Sequence, residues 1–139
     1  MRQALGELLI RTRGRGLYEI TASVADWLAG QRPEQGLLTV MVRHTSASLL
    51  VQENADPEVT RDLERFFARL VADGDPIFRH VEEGPDDMPS HVRAALTQTS
   101  LSIPVDGGAA LLGTWQGIYL YEHRHAPYAR KVALHYVGE

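Results

Sequence analysis

Residues 113–124 read GTWQGIYLYEHR, and the reading of this stretch decides the fold. From Trp115 to His125 aromatic and branched residues dominate and helix formers are nearly absent, which predicts a β-strand. Side chains alternate along a strand. Ile118, Leu120, Glu122 and Arg124 therefore share one face, and Tyr119, Tyr121, His123 and His125 the other. Both faces begin apolar, which predicts a central strand, and the later residues become ionisable with no turn residue between. A carboxylate and a guanidinium in line with Ile118 and Leu120 must be paired, ligand-bound or at the sheet's open end, because an unpaired buried charge is strongly unfavourable. The strand thus describes either a Glu122–Arg124 ion pair at a solvated edge or the wall of a pocket.

Working outward, residues 3–12 and 16–20 read as two strands around Arg13-Gly14-Arg15-Gly16, the pattern of a hairpin. Thr21 or Ser23 can cap a short helix carrying Val24, Trp27 and Leu28 that stops at Gly30. Strands follow at 36–44 and 48–53. Asp56-Pro57 is a strong helix start, an N-cap followed by a proline whose missing N–H does no harm. Val59, Leu63, Phe66, Phe67 and Leu70 then fall on one helical face, which predicts core packing up to an end near Asp73-Gly74. Asp86-Asp87 can cap a third helix holding Met88, Val92, Ala95 and Leu96, and strands are expected at 100–105, 109–112, 115–125 and 130–137. Strands outnumber helices and turns are short. The expected fold is α+β, a mostly antiparallel sheet or sandwich with about three helices packed against it.

The 139 residues suit a single domain spanning 1–139, with 44% hydrophobic and 23% charged residues as in a soluble globular protein. A formal charge of −4 argues against a nucleic-acid partner, and the early arginines (Arg2, Arg11, Arg13, Arg15) are too dispersed to form a patch. The absence of cysteine excludes disulfides and thiolate chemistry. There is no apolar run of membrane-spanning length and no charged-then-apolar leader, so a cytoplasmic protein without a membrane partner is the expectation.

Two further segments carry chemistry. In His44-Thr45-Ser46-Ala47-Ser48 the histidine continues the row Leu38, Val40, Val42. Beside the hydroxyls of Ser46 and Ser48 and their backbone N–H groups it can bind an oxyanion, a phosphate or a metal, unless the run is a turn satisfying its own backbone. Residues 80–91, HVEEGPDDMPSH, hold two histidines and four carboxylates, the natural ligands of a divalent cation. Imidazole favours zinc, and carboxylate favours magnesium or manganese. Asp87 as a plain N-cap is the competing reading, and it leaves His80 and His91 without a role. His135 alternates with the apolar residues of its strand and is placed on a solvated face; His123 and His125 face away from Glu122 and are left outside the site. Gly107-Gly108 reads as a turn.

HTSAS at 44–48, NADPEV at 54–59, DDMPSH at 86–91, IPVDGG at 103–108 and GTWQGIYLYEHR at 113–124 together resemble the YjbQ family, in order and over nearly the whole chain. Ser90 stands where alanine is usual in that family. The resemblance implies a compact α+β fold, a homotrimer, and a weak secondary thiamine-phosphate synthase activity. That transferase reaction joins hydroxymethylpyrimidine diphosphate to hydroxyethylthiazole phosphate and releases diphosphate. Carried over by residue, it marks His44, His80 and His91 as candidate metal or phosphate ligands, with Asp87, Gln116, Glu122 and Arg124 around them. In that chemistry Arg124, the N–H groups around Ser46 and a divalent cation (Zn or Mg/Mn) would stabilise the departing diphosphate. Glu122 or Asp87 would stabilise the organic cation or hold the metal, and His80 would donate a proton. A metal-dependent hydrolase of a phosphorylated metabolite and a non-catalytic ligand-binding trimer are the alternatives.

Overall fold

The computed structural model describes residues 1–139 as β1 (Arg2–Arg11), β2 (Gly16–Glu19), α1 (Thr21–Gly30), β3 (Gly36–Val42), β4 (Ala47–Glu53), α2 (Pro57–Leu70), α3 (Asp87–Leu96), β5 (Ser100–Asp106), β6 (Ala109–Ala110), β7 (Gln116–Glu122) and β8 (Ala129–Gly138). A five-stranded sheet has the order β1-β8-β3-β5-β6, and a three-stranded sheet the order β2-β7-β4. Every strand pairing is antiparallel. Strict alternation in β5 buries Leu101, Ile103 and Val105; in β3 it buries Leu38, Val40 and Val42, and in β8 Val132, Leu134 and Tyr136. These rows meet Ala47, Leu49, Ile118 and Leu120 of the smaller sheet and Val24 and Leu28 of α1 in one core. No helix is long and apolar enough to cross a membrane.

The fold is the α+β sandwich with three helices that the strand pattern implies, but its connections differ from a chain of hairpins. β1 pairs with β8 and β2 with β7, so the Arg13–Gly16 turn passes from one sheet to the other. Gly14 makes that passage possible. Its φ is 121°, and a Cβ there would lie 2.7 Å from the His125 carbonyl oxygen. The segment between β3 and β4 crosses between the sheets too, and so does the one between β7 and β8. All three crossings fall at the end of β7 that carries Glu122, whose register partners are Gly16 and Ala47.

β7 is central, as its apolar start predicts, and buried on both sides. The cover on the outer side comes from helices of the same chain: Tyr121 meets Phe67 edge-to-face at 5.9 Å, and α3 packs on β4. The strand ends at Glu122, before His125. Asp56 accepts a hydrogen bond from the Glu58 N–H and Pro57 opens α2, as expected. The expected core role of α2 is not realised. None of its residues is fully buried, and Phe66 and Leu70 are 49% and 55% exposed. It lies on the outside of an already thin sheet and touches it with one edge. It also stops at Leu70, because Val71 turns inward in an extended conformation and is buried. In α1 the Thr21 hydroxyl caps nothing; it accepts the Ile118 N–H of β7 and donates to Glu19.

The two sheets are strapped together by an ion pair. Glu122 of β7 accepts from Arg130 of β8 at Nε (2.8 Å) and Nη2 (2.5 Å), from the Thr12 hydroxyl (2.8 Å) and from the Arg124 backbone N–H (3.2 Å). Both side chains are buried. Four donors satisfy the carboxylate, so removing one partner leaves the other as an uncompensated charge, which costs about 3–5 kcal/mol. Arg130→Met is therefore expected to lower the urea-unfolding free energy by about that amount, whereas Glu122→Leu combined with Arg130→Met recovers most of the loss.

Candidate functional site

Where the three crossings converge, a cavity of about 650 Å³ is lined by His44, Thr45, Ser46, His80, Glu83, Asp87, His91, Arg124 and Tyr128. Asp87 is its fixed point. It opens α3, yet caps nothing. Its Oδ1 accepts from Arg124 Nη1 (2.8 Å), while its Oδ2 lies 2.8 Å from His80 Nε2 and 3.3 Å from His91 Nε2. Asp86, one residue earlier, does not cap the helix with its side chain either; it accepts from Arg124 Nε (3.1 Å) and the His125 N–H (2.9 Å). Burial pushes the Asp86 carboxyl up, but the His125 N–H and the Arg124 guanidinium outweigh it and hold the group below its ordinary value. Both acids at the helix start are therefore turned toward Arg124.

One ligand atom each from His80, Asp87 and His91 lies within 4.8 Å of the others. The proton positions matter here. His91 Nδ1 faces the Thr45 carbonyl oxygen at 3.1 Å and must donate to it, so the neutral ring carries its lone pair on Nε2. That lone pair faces Asp87 Oδ2. Two acceptors 3.3 Å apart repel unless a proton or a cation lies between them. A histidine whose far nitrogen is tied to a backbone carbonyl is also the usual setting of a metal-bound imidazole. The residues present fit a divalent cation.

His44 differs. Its Nδ1 accepts the Ser46 N–H at 3.1 Å, and the Ser46 hydroxyl is also 3.1 Å away. Its ring lines the cavity but lies outside the three-residue ligand group. Burial, then the Arg130 charge, lowers its pKa.

The remaining expectations divide sharply. Arg124 reaches the cavity, and its partner there is Asp87, not Glu122. Asp86, Asp87 and the Glu83 carbonyl take one N–H from each guanidinium nitrogen, which leaves two of five free. Ser46 lines the cavity, but its N–H serves His44 and its hydroxyl accepts from Arg130 (2.9 Å). Glu122 lies behind the wall, bound to Arg130. Ser48 is buried on the other side of the small sheet against His123 (2.8 Å) and Thr97. Gln116 stands at the opposite end of β7, about 20 Å of extended strand away, where it accepts the Gly113 N–H. His80 is brought in, but ligation and proton donation to substrate would compete for its Nε2 in one complex.

Sequence reasoning missed Arg130 and Tyr128. The first had a readable signal, since Arg130 opens the buried row Val132, Leu134, Tyr136 just as Glu122 closes the row Ile118, Leu120. Tyr128 had none. The Arg130 and Arg124 guanidinium carbons lie 4.4 Å and 5.7 Å from its ring centre, within reach of cation–π attraction.

An α+β sandwich thus brings His80, from the segment before α3, and Asp87 and His91, from α3, together with Arg124 of the β7–β8 crossing at one end. The family model described as UPF0047 protein YjbQ-like matches residues 7–139, and the chain belongs to that family. A UPF0047 protein from Synechocystis is 49% identical over 132 residues, covering 95% of this chain and 90% of its own. The YjbQ protein of Escherichia coli is 43% identical over 133 residues, covering 95% and 96%. A crystal structure of a hypothetical protein from Aeropyrum pernix superposes with a TM-score of 0.89 at 33% identity, covering 98% of this chain and 99% of that one.

On the outer face of β7 a second polar cluster lies under α2 and α3. Arg93, fully buried, donates to Glu64 (3.0 and 3.1 Å), and Glu64 also accepts from Tyr121. His123 sits beside it, 4.3 Å from the Tyr121 ring. Burial first, then the charges of Arg93, Arg15 and Arg130, push the imidazole down to about 3. Below the ordinary 6.5 the unfolded chain protonates this residue while the folded chain does not. Its contribution is complete above pH 6.5 and declines as the pH falls toward 3, at up to ~1.4 kcal/mol per unit. Urea titrations of wild type and His123→Gln between pH 7 and about 4 are expected to show a shallower loss of stability in the variant.

Proposed function

We propose that the protein is a metal-assisted enzyme acting on phosphorylated small molecules, with His80, Asp87 and His91 holding the cation. The observation that carries this reading is the lone pair of His91 facing the Asp87 carboxylate, with His80 beside them. Two imidazoles and one carboxylate favour Zn²⁺ over Mg²⁺ and leave coordination positions for a substrate oxygen. Such a cation, when bound, supplies positive charge to a phosphate or diphosphate.

The site's own charges set the order of events. Glu83, Asp86 and Asp87 surround a single guanidinium, so a free anion is repelled until that excess is neutralised. Arg124 then offers its two free N–H groups, held in place by Asp86, Asp87 and the Tyr128 ring. On this reading the reaction is the transfer implied by the family resemblance, in which diphosphate leaves hydroxymethylpyrimidine diphosphate as thiamine phosphate forms. The chain's part is to bind and orient the leaving group. Hydrolysis of a phosphorylated metabolite is the second reading. It is supported by a lining in which Tyr128 is the one aromatic surface besides the histidines, a sparse cradle for two heterocyclic substrates.

Calorimetric titration with Zn²⁺ is expected to give one site per chain, weakened at least about tenfold in Asp87→Asn and His91→Ala. Diphosphate release from the paired substrates is expected to fall in the same variants and in Arg124→Ala. Phosphate release without any acceptor would select the hydrolytic reading. Undiminished Zn²⁺ binding in both ligand variants would remove the metal site.

The homotrimer implied by the family resemblance belongs to the same proposal. It is supported by the outer face of the five-stranded sheet, where Leu5, Leu37 and Met41 are 80%, 39% and 46% exposed on neighbouring register rows with Ala133 and Val137. Light scattering is expected to give three times the 15.5 kDa chain mass, and Met41→Glu is expected to reduce it.

A further inference from the structure

We infer that His44 is a neutral imidazole offering its Nε2 hydrogen to an anionic oxygen in the cavity, and that Ser46, Arg130 and Glu122 are positioning residues that keep the proton on that nitrogen. The ligand half of this inference rests on the phosphate reading above. The tautomer half does not.

Arg130 can only donate, and its Nη2 lies 2.9 Å from Ser46 Oγ, so the serine oxygen accepts there. The serine's own hydrogen is then free for the acceptor 3.1 Å away, His44 Nδ1. The Ser46 backbone N–H, a donor by necessity, meets the same nitrogen at 3.1 Å. With two donors converging, Nδ1 must present its lone pair, and the neutral ring carries its hydrogen on Nε2. A second proton on Nδ1 would face both donors head-on. Glu122 fixes the origin of the chain, because its two oxygens hold Arg130 by Nε and Nη2 and prevent the guanidinium from turning away from Ser46.

No group of the protein takes the His44 Nε2 hydrogen, although the ring lines the cavity that contains Arg124 and the His80–Asp87–His91 group. Its neighbour His91 is set the opposite way by the adjacent residue: the Thr45 carbonyl holds a hydrogen on His91 Nδ1 and frees the Nε2 lone pair. Three consecutive residues thus dictate one imidazole donor and one imidazole ligand in the same pocket. A fixed neutral N–H donor on a ring that lines a cavity with a guanidinium is suited to a phosphate oxygen, and it needs no proton transfer to act.

Long-range ¹⁵N–¹H correlation spectra of histidine-labelled, ligand-free protein at pH 7 read the tautomer directly. The Nε2–H form is expected for His44 and the Nδ1–H form for His91. Ser46→Ala is expected to mix the His44 tautomers, and Ser46→Thr to restore the single form. In zinc-loaded protein, inorganic phosphate is expected to shift the His44 Hε2 resonance. His44→Gln, which keeps an amide N–H, is expected to hold phosphate within about threefold of wild type, and His44→Phe to lose about tenfold or more. An Nδ1–H or doubly protonated His44 in the ligand-free spectrum would overturn the positioning assignment. Equal losses in the Gln and Phe variants would overturn the donor role. Failure of wild type to bind phosphate at all would overturn the anion reading of the cavity and with it the donor role, while the tautomer assignment is decided by the ligand-free spectrum.

Discussion

The Glu122–Arg130 ion pair is the joint on which this molecule turns. It is buried, it links the central strand of one sheet to the second strand of the other, and it stands where three segments pass between the sheets. A well-packed apolar pair could hold the sheets as firmly. What the ion pair adds is direction. The carboxylate accepts from the Thr12 hydroxyl and the Arg124 N–H, the guanidinium donates to the Ser46 hydroxyl oxygen, and the Tyr128 ring lies against the guanidinium. Each of the three crossing segments is thereby tied to one point, and the cavity inherits its shape from that point.

Around this joint the charges are arranged in two sets. Inside the wall, Glu122 and Arg130 neutralise one another. Around Arg124, the carboxylates of Asp86, Asp87 and Glu83 outnumber the one guanidinium, so this second set carries a negative excess that the Glu122–Arg130 pair does not offset.

Much of this was written in the chain. The alternation of β5, β7 and β8 gave the sandwich, the Asp56-Pro57 start gave α2, and the pairing of two histidines with Asp87 across 80–91 gave three of the site's groups. Where the structure sets expected neighbours apart, the cause is physical. Glu122 was assigned to the cavity because alternation shows which face a side chain occupies, and Arg130, its true partner, lies eight residues on across a sheet crossing. Gln116 and Arg124 sit close in sequence, yet an extended strand carries them to opposite ends of the molecule. The Arg13–Gly16 turn has hairpin composition, but glycine conformations serve a passage between sheets as readily as a reversal. Ser46 and Ser48 lie two positions apart, but Ser46 belongs to the crossing segment and Ser48 to β4, so strand alternation does not relate them: one meets Arg130, the other His123.

The outer helix has a consequence for how the molecule breathes. α2 is fastened to the small sheet by Glu64, which binds Arg93 and Tyr121, and by the edge of Phe67, with no residue sunk fully into the interior. A layer attached by so few points can lift while the two sheets stay joined, and such partial openings require far less free energy than global unfolding. Tyr121, His123 and Arg93 lie beneath this layer, so solvent admitted by such an opening would reach the polar seam without passing through the cavity.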